Sequence, residues 1–305
     1  MQNNRKAAFH IQVPGKWILA GEHSVIRGGD AIVFPLESRF LNLTYFENSN
    51  EIEIQLMGHD HSELELIIWS VFERALKKLN LKRSQMKGLI QLDSHILFGA
   101  GMGASATLCV ALTDFFAYLG YLPAELKYAF ATDLENLFHG ESSGVDVAVT
   151  LFRKPLLFSR HNGFKTLELK NAPVLYLSYT GERGVTKDCV DKVKKFFVEA
   201  PELAENIDHQ MIQSVQKFKQ LLQETEINLT LWAQAMEESH RCFEQWGLVN
   251  EAVKLHAEKL KAAGALAVKL TGSGGGGFML SLWNQVPQKT AFEMIPCFQA
   301  SLSQK

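Results

Sequence analysis

Apolar and polar side chains alternate over residues 40–46 (FLNLTYF) and 51–57 (EIEIQLM). That two-residue period is that of half-buried strands and suggests antiparallel strands. Residues 8–13 (AFHIQV) and 31–36 (AIVFPL) also read as short strands, separated by a segment rich in glycine and charge, GKWILAGEHSVIRGG. At residues 62–80 the period becomes helical, with Ser62 at the cap position. A strand over 88–97 leads to FGAGMGAS, then to the apolar helix ATLCVALTDFFAYLGYL and a further helix near 124–139. ESSGVDVAVTLF closes this half, and the strand-and-turn pattern of 153–166 is the expected boundary. Beyond it the spacing predicts a strand at 173–178, helices near 187–199, 203–224, 230–245 and 250–263, and strands at 266–270 and 277–282. No internal repeat or low-complexity linker is present. Strands and helices mixed in this way predict an α+β fold in two lobes.

Composition narrows the function classes. The chain has 305 residues, 47% hydrophobic and 21% charged, enough for one large domain or two lobes. A net charge of −2 supplies no basic field for nucleic acid or an anionic membrane. The local run Lys192, Lys194 and Lys195 in VDKVKKFF reads as a solvated helix face. Cys109, Cys189, Cys242 and Cys297 are far apart, so neither a disulfide framework nor a zinc site is expected, and a reducing cytoplasm is the simplest setting. MQNNRKAAFHIQVPGK lacks the apolar core of a signal peptide, and no stretch is long and apolar enough to span a bilayer. The expectation is a cytoplasmic protein without nucleic-acid or membrane partners; monomer and homodimer both stay open.

Three clusters carry candidate chemistry. In the first, Lys16, Glu22, His23 and Ser24 lie in the otherwise apolar VPGKWILAGEHSVI. Buried charge must be satisfied, so a structural Lys–Glu pair is the alternative to a site. Apart from these clusters, Gly99, Gly101 and Gly103 form a glycine-rich loop between a strand and a long helix. Glycines let backbone N–H groups approach a ligand, and a helix start attracts phosphate. A ligand-free tight turn is the alternative there. The second cluster runs from Glu135 to Asp146: Glu135 and His139 share a helix face, and Ser142–Ser143–Gly144 turns Asp146 into an apolar run, where it is either a cap or turn residue or a site residue. In the third, KLTGSGGGGFML (269–280), four consecutive glycines between strand-like runs point to close approach by a ligand or another backbone. Gly58-His59-Asp60-His61 reads as an exposed turn and not as a metal site.

Competing phosphate motifs fit less well. No Walker A run exists in the chain. Gly99-Ala100-Gly101-Met102-Gly103-Ala104 matches the looser dinucleotide fingerprint, but the acidic residue about 20 positions on, at the end of a second strand, is missing. An NAD(P)-binding oxidoreductase is therefore a secondary alternative.

Taken in order, PGKWILAGEHSVIRGG, SHILFGAGMGASAT and KLTGSGGGGF resemble the three motifs of the GHMP kinase superfamily, and together they cover most of the chain. GEHSVIRGG, Glu135 with HGESSGVD, and TGERGVTKDCVDKV are most similar to the mevalonate kinase family within it. The resemblance implies the two-lobed GHMP fold, with a ribosomal protein S5 domain 2-like N-terminal ATP-binding lobe over 1–160 and a ferredoxin-like C-terminal lobe over 161–305. It implies phosphorylation of a small-molecule alcohol with ATP and Mg²⁺. Mevalonate is the expected acceptor in isoprenoid precursor synthesis; phosphomevalonate, homoserine or a sugar are the alternatives.

By the same resemblance, Asp146 is the catalytic aspartate facing the hydroxyl, with Lys16 beside it stabilising charge on the reacting oxygens. The backbone of Gly99, Ala100, Gly101, Met102, Gly103 and Ala104 would cradle the phosphates, and Ser105 and Glu135 would hold Mg²⁺. Glu22, His23, Ser24 and Thr186 would shape the acceptor end, supported by Gly272, Gly274 and Gly275 within the stretch Gly272–Gly277. The chain departs from the family at Leu97 (usually proline), Ala104 (usually the first serine of GLGSS), Thr107, and Glu141–Ser142 (usually Asn-Pro or Lys-Pro).

Overall fold

The computed structural model describes residues 6–47, 49–57, 62–139, 142–288 and 290–298. The chain forms two compact units. One comprises residues 1–15, 37–97 and 103–153, the other 16–36, 98–102 and 154–305. The chain therefore leaves and re-enters the second unit twice before staying in it from Lys154. Sequence spacing alone, with one boundary near 160, has no way to register such re-entry.

In chain order the first part contains β1 (Phe9–Ala20), β2 (Asp30–Phe46), β3 (Ile52–Met57), α1 (Ser62–Lys78), β4 (Gly88–Ser94), α2 (Ala104–Tyr118), α3 (Lys127–His139) and α4 (Val145–Phe152). In the first unit, residues 41–46 of β2 pair antiparallel with β4, and β4 pairs parallel with β3. Residues 40–46 and 51–57 are thus not direct partners, and the β3 run is parallel, not antiparallel, to its neighbour. Helix α1 is the crossover that a parallel β3–β4 pair requires, and it places β4 between the two runs. Leu41, Leu43 and Tyr45 point to the core with Ile90 and Leu92. The alternate residues Asn42 and Thr44 bond Gln12 and His10 on the other face. Ile68, Phe72 and Leu76 of α1 and nearly every side chain of α2 complete this core. A helix apolar all round is buried, as α2 is.

In the second unit, residues 30–33 of β2 pair with β5 (Leu156–Ser159), which forms a hairpin with β6 (Gly163–Thr166). A second, antiparallel sheet has the order β10 (Ile295–Pro296), β7 (Val174–Tyr179), β9 (Phe278–Trp283), β8 (Ala267–Leu270). Helices α5 (Thr186–Glu199), α6 (Pro201–Leu221), α7 (Leu229–Gln245) and α8 (Glu251–Ala262) belong to this unit. Ala204, Ile207, Met211, Val215 and Phe218 make the buried stripe of α6, at the three- and four-residue spacing of one helix face. The ring of Phe218 meets that of Trp232 on α7 at 5.4 Å between centroids.

Two expected breaks are bridged. β1 runs on through Pro14 and Gly15 to Ala20, because residues 13–20 are buried throughout. The predicted strands 31–36 and 40–46 are one strand, β2. Pro35 falls between the ladder to β5, which ends at Val33, and the ladder to β4, which begins at Leu41, so its missing N–H interrupts neither. No helix among the described residues is long and apolar enough to cross a membrane. Gly58–His61 and Glu141 lie outside the described residues.

Candidate active site

Both glycine-rich segments have part or all of their length in the second unit, and they touch there. Lys16 N donates to Met102 O at 3.0 Å, tying the first loop to the backbone of β1. Gly277, just before β9, lies directly against Ala100. The 272–277 loop is bonded in turn to the segment before α5: Gly277 N donates to Glu182 O at 2.8 Å, Thr180 N to Gly277 O at 2.9 Å, and Ser273 Oγ to Thr186 Oγ1 at 3.3 Å. Thr186 and the third motif are thus brought together, and Gly99 lies against the side chain of Arg183.

The turn after β1 is bound to the same loop. Thr271 Oγ1 accepts from Ile18 N and donates to Ile18 O, each at 2.9 Å. His23 Nε2 donates to Ser273 O at 2.8 Å. A carbonyl only accepts, so Nε2 carries the proton and Nδ1 is left as an acceptor. Burial holds the His23 imidazole down at about 4 and keeps it neutral. Its ring packs against Phe243 and Trp246. Lys16, Glu22 and Ser24 are buried too. The expected Lys16–Glu22 pair is not the main one: Glu22 Oε1 accepts from Lys269 Nζ of β8 at 2.7 Å, and Lys16 adds a weaker favourable charge. Burial pushes the Glu22 carboxyl up and the Lys269 ammonium down, with their mutual attraction opposing both shifts.

In the first unit, Gly103 precedes α2 with φ 77°, a left-handed conformation suited to glycine, and no side chain caps the helix. The first helical N–H groups of α2, including that of Ser105, lack intrahelical partners. Helix α3 packs on α2 and carries Glu135 near its last turn, where the side chain is buried. Glu135 Oε2 accepts from Ser142 Oγ, and Ser142 N donates to Asn136 Oδ1 at 2.7 Å, so the connection into α4 folds back onto α3. Gly144, φ 80°, opens α4, and Asp146 sits in its first turn, partly exposed. Burial and the Glu135 charge both push the Cys109 thiol upward. Ser105 on α2 and Glu135 on α3 each carry a hard oxygen donor, and the two helices pack together; oxygen donors are the kind that suit a divalent ion such as Mg²⁺. Among the described residues no cluster of three or more His, Cys, Asp or Glu offers a metal site made of protein alone.

The expected site residues therefore fall into two sets. Gly103, Ala104, Ser105, Glu135 and Asp146 belong to the first unit. Lys16, Glu22, His23, Ser24, Gly99 to Met102, Thr186, Gly272, Gly274 and Gly275 belong to the second. Lys269, Thr271 and Ser273 were not singled out from the sequence, although a lysine inside the apolar run AVKL was a signal. Among the described residues the pairs β2–β4, β2–β5, β5–β6, β7–β9, β7–β10 and β8–β9 are antiparallel and β3–β4 is parallel, which does not match the doubly wound parallel sheet that a dinucleotide fingerprint serves.

Comparisons agree with the three-motif resemblance. Residues 67–154 match the GHMP kinases N terminal domain, and residues 218–299 match the GHMP kinases C terminal family. The mevalonate kinase of Pyrococcus horikoshii is 31% identical over 296 residues, covering 88% of this chain and 87% of that one. The structure of L. major mevalonate kinase in complex with R-mevalonate superposes with a TM-score of 0.76 at 23% identity, over 92% of this chain and 90% of that chain. That of Methanococcus jannaschii mevalonate kinase gives 0.77 at 18% identity, over 97% and 98%. These two likenesses establish the fold, and the sequence relative establishes the family. The chain belongs to the GHMP kinases and is a mevalonate kinase-like phosphotransferase with an alcohol group as acceptor.

Proposed function

We propose that this chain transfers the γ-phosphoryl group of ATP to the primary alcohol of mevalonate, giving 5-phosphomevalonate. The observation that carries phosphate binding is the start of α2: a left-handed glycine, no side-chain cap, and Ser105 in the first turn. Mevalonate is favoured because the 31%-identical relative bears that activity in its name.

In this reading the backbone of Gly99 to Ala104 holds the phosphates, within an ATP-binding part over 1–160. Ser105 Oγ and the Glu135 carboxylate are the groups that would hold Mg²⁺, which when bound screens the charge of the β- and γ-phosphates. Asp146 orients the acceptor hydroxyl and takes its proton. Lys16 stabilises charge on the reacting oxygens. His23 offers its bare Nδ1 to the acceptor, while the buried Glu22 and Ser24 hold the turn from behind. Thr186 and the 272–277 loop, in the part over 161–305, support that end. Most of the catalysis is positioning and electrostatics.

The runner-up is another GHMP acceptor. Phosphomevalonate would need extra cations, for which the exposed Arg183 and Lys187 are the available side chains. An ATP-consumption screen over mevalonate, phosphomevalonate, homoserine and galactose, with and without Mg²⁺, decides. Turnover of mevalonate well above the others is expected; equal or greater turnover of another alcohol overturns the substrate assignment. Reduction of a nicotinamide cofactor in place of ATP consumption overturns the whole reading.

A further inference from the structure

Lys269 is completely inaccessible, on a strand buried along its whole length, yet it carries an ammonium group. Its partner Glu22 is equally hidden, and Glu22 Oε2 is buried without a hydrogen bond. As a stability device this is poor. A buried ion pair gains little over an apolar pair of similar volume, and less still when one oxygen is unsatisfied. A second observation shows what the pair secures. His23, the next residue, has φ 60° and ψ −49°, outside the regions that non-glycine residues prefer. Such a conformation persists only where its surroundings over-determine it, and it concentrates at functional positions.

The surroundings here are specific. Lys269, Thr271 and Ser273 are alternate residues of one chain segment, and they bond Glu22, Ile18 and His23 respectively. On the other side, Arg27 makes a two-pronged ion pair with Asp208 of α6 at 2.5 Å for both bonds, and Gly21 N donates to Met211 Sδ at 3.4 Å. The turn is held at Gly21, Glu22, His23 and Arg27, and only the Glu22 tie is a fully buried ion pair. Phe243 lies beside both His23 and the Lys269 ammonium.

We propose that Lys269 is a positioning residue for phosphoryl transfer: by anchoring Glu22 it keeps His23 in its strained conformation and so sets the acceptor pocket. The inference rests on the reading that His23 borders the alcohol.

The test compares Lys269→Met and Lys269→Arg with the unaltered chain. The acceptor is whichever alcohol of the screen the unaltered chain turns over, so failure with mevalonate alone would sink the substrate assignment and leave this proposal standing. Lys269→Met is expected to raise the acceptor KM about tenfold or more while the KM for ATP stays within about twofold. Lys269→Arg should recover part of the loss. Without its cation, Glu22 should remain protonated to higher pH, moving the acid limb of kcat/KM upward. A merely structural role would instead lower the active fraction, reducing kcat with KM and pH limb unchanged. That result, or a folded Lys269→Met with ordinary kinetics, overturns the proposal. Should Lys269→Met fail to fold, Lys269→Gln, which keeps a donor towards Glu22 but no charge, is read in the same way.

Discussion

A Cβ placed on Gly277 would stand 2.6 Å from the carbonyl oxygen of Ala100, so the backbone of the third motif rests directly on that of the first glycine loop. The obstacle is backbone and cannot rotate away, and Gly277 also has φ +82°. Gly277→Ala should therefore cost about 2–3 kcal/mol, combining left-handed strain with displacement of the loop. It should also weaken ATP binding, because the displaced atoms are those expected to hold phosphate. Gly120→Ala is the control: its φ is +78° but no atom lies within 4 Å of the added methyl. It should lose only the strain, about 1 kcal/mol, with ATP affinity unchanged. Denaturant titration and nucleotide binding on the two variants separate these effects. Equal losses in both would show that the contact with Ala100 does not matter.

Asp146→Asn keeps size and the helix position while removing the negative charge. Its place in the first turn of α4, partly exposed, means that folding should survive. Turnover should fall by at least about a thousandfold, with ATP binding retained by calorimetry. Retention of most of kcat would remove Asp146 from the reaction.

Glu135→Gln tests the metal assignment independently. The amide oxygen can still accept from Ser142 Oγ, so the turn into α4 should persist. The Mg²⁺ concentration for half-maximal rate should rise about tenfold or more as a charged ligand becomes neutral. An unchanged metal dependence would leave Glu135 as a structural partner of Ser142 alone.

The sequence made the elements around these residues readable because their signals are local. Helix α2 is apolar along its whole length and follows three closely spaced glycines, so its start was legible to within a residue or two. Asp146 was equally clear as a lone acid entering the apolar run VDVAVTLF. Lys16 and Glu22 were visible as charges on apolar ground, but their pairing was not: the partner of Glu22 lies 247 residues away. Periodicity carries no information on such a distance. The same limit applies to β2, where Pro35 looks like a break until the ladders on either side are known. It applies again to β4, whose insertion between β2 and β3 depends on the path of α1.

Two imidazoles, the buried His23 and the half-buried His240, give the fold a pH dependence of definite sign. His23 and His240 are both held down at about 4, chiefly by burial, with nearby cations adding to the effect. His240 Nδ1 accepts from Leu270 N at 3.4 Å, which also requires a bare nitrogen. Each side chain titrates near 6.5 in the unfolded chain, so the unfolded state binds more protons between about 6.5 and 4. Stability is fully present above that window and is lost as pH falls through it. His23 alone accounts for a loss on the order of 3 kcal/mol. Glu22 works in the opposite direction, since burial raises its carboxyl and favours the protonated form in the fold. It offsets part of the loss at the acid end. Denaturant midpoints measured from pH 7.5 to 4.5 should therefore fall steadily below about 6.5. In His240→Asn, which can keep an acceptor towards Leu270 N, the fall should be shallower. A midpoint constant from pH 7 to 5 in the unaltered chain would mean that these imidazoles are not held neutral by the fold.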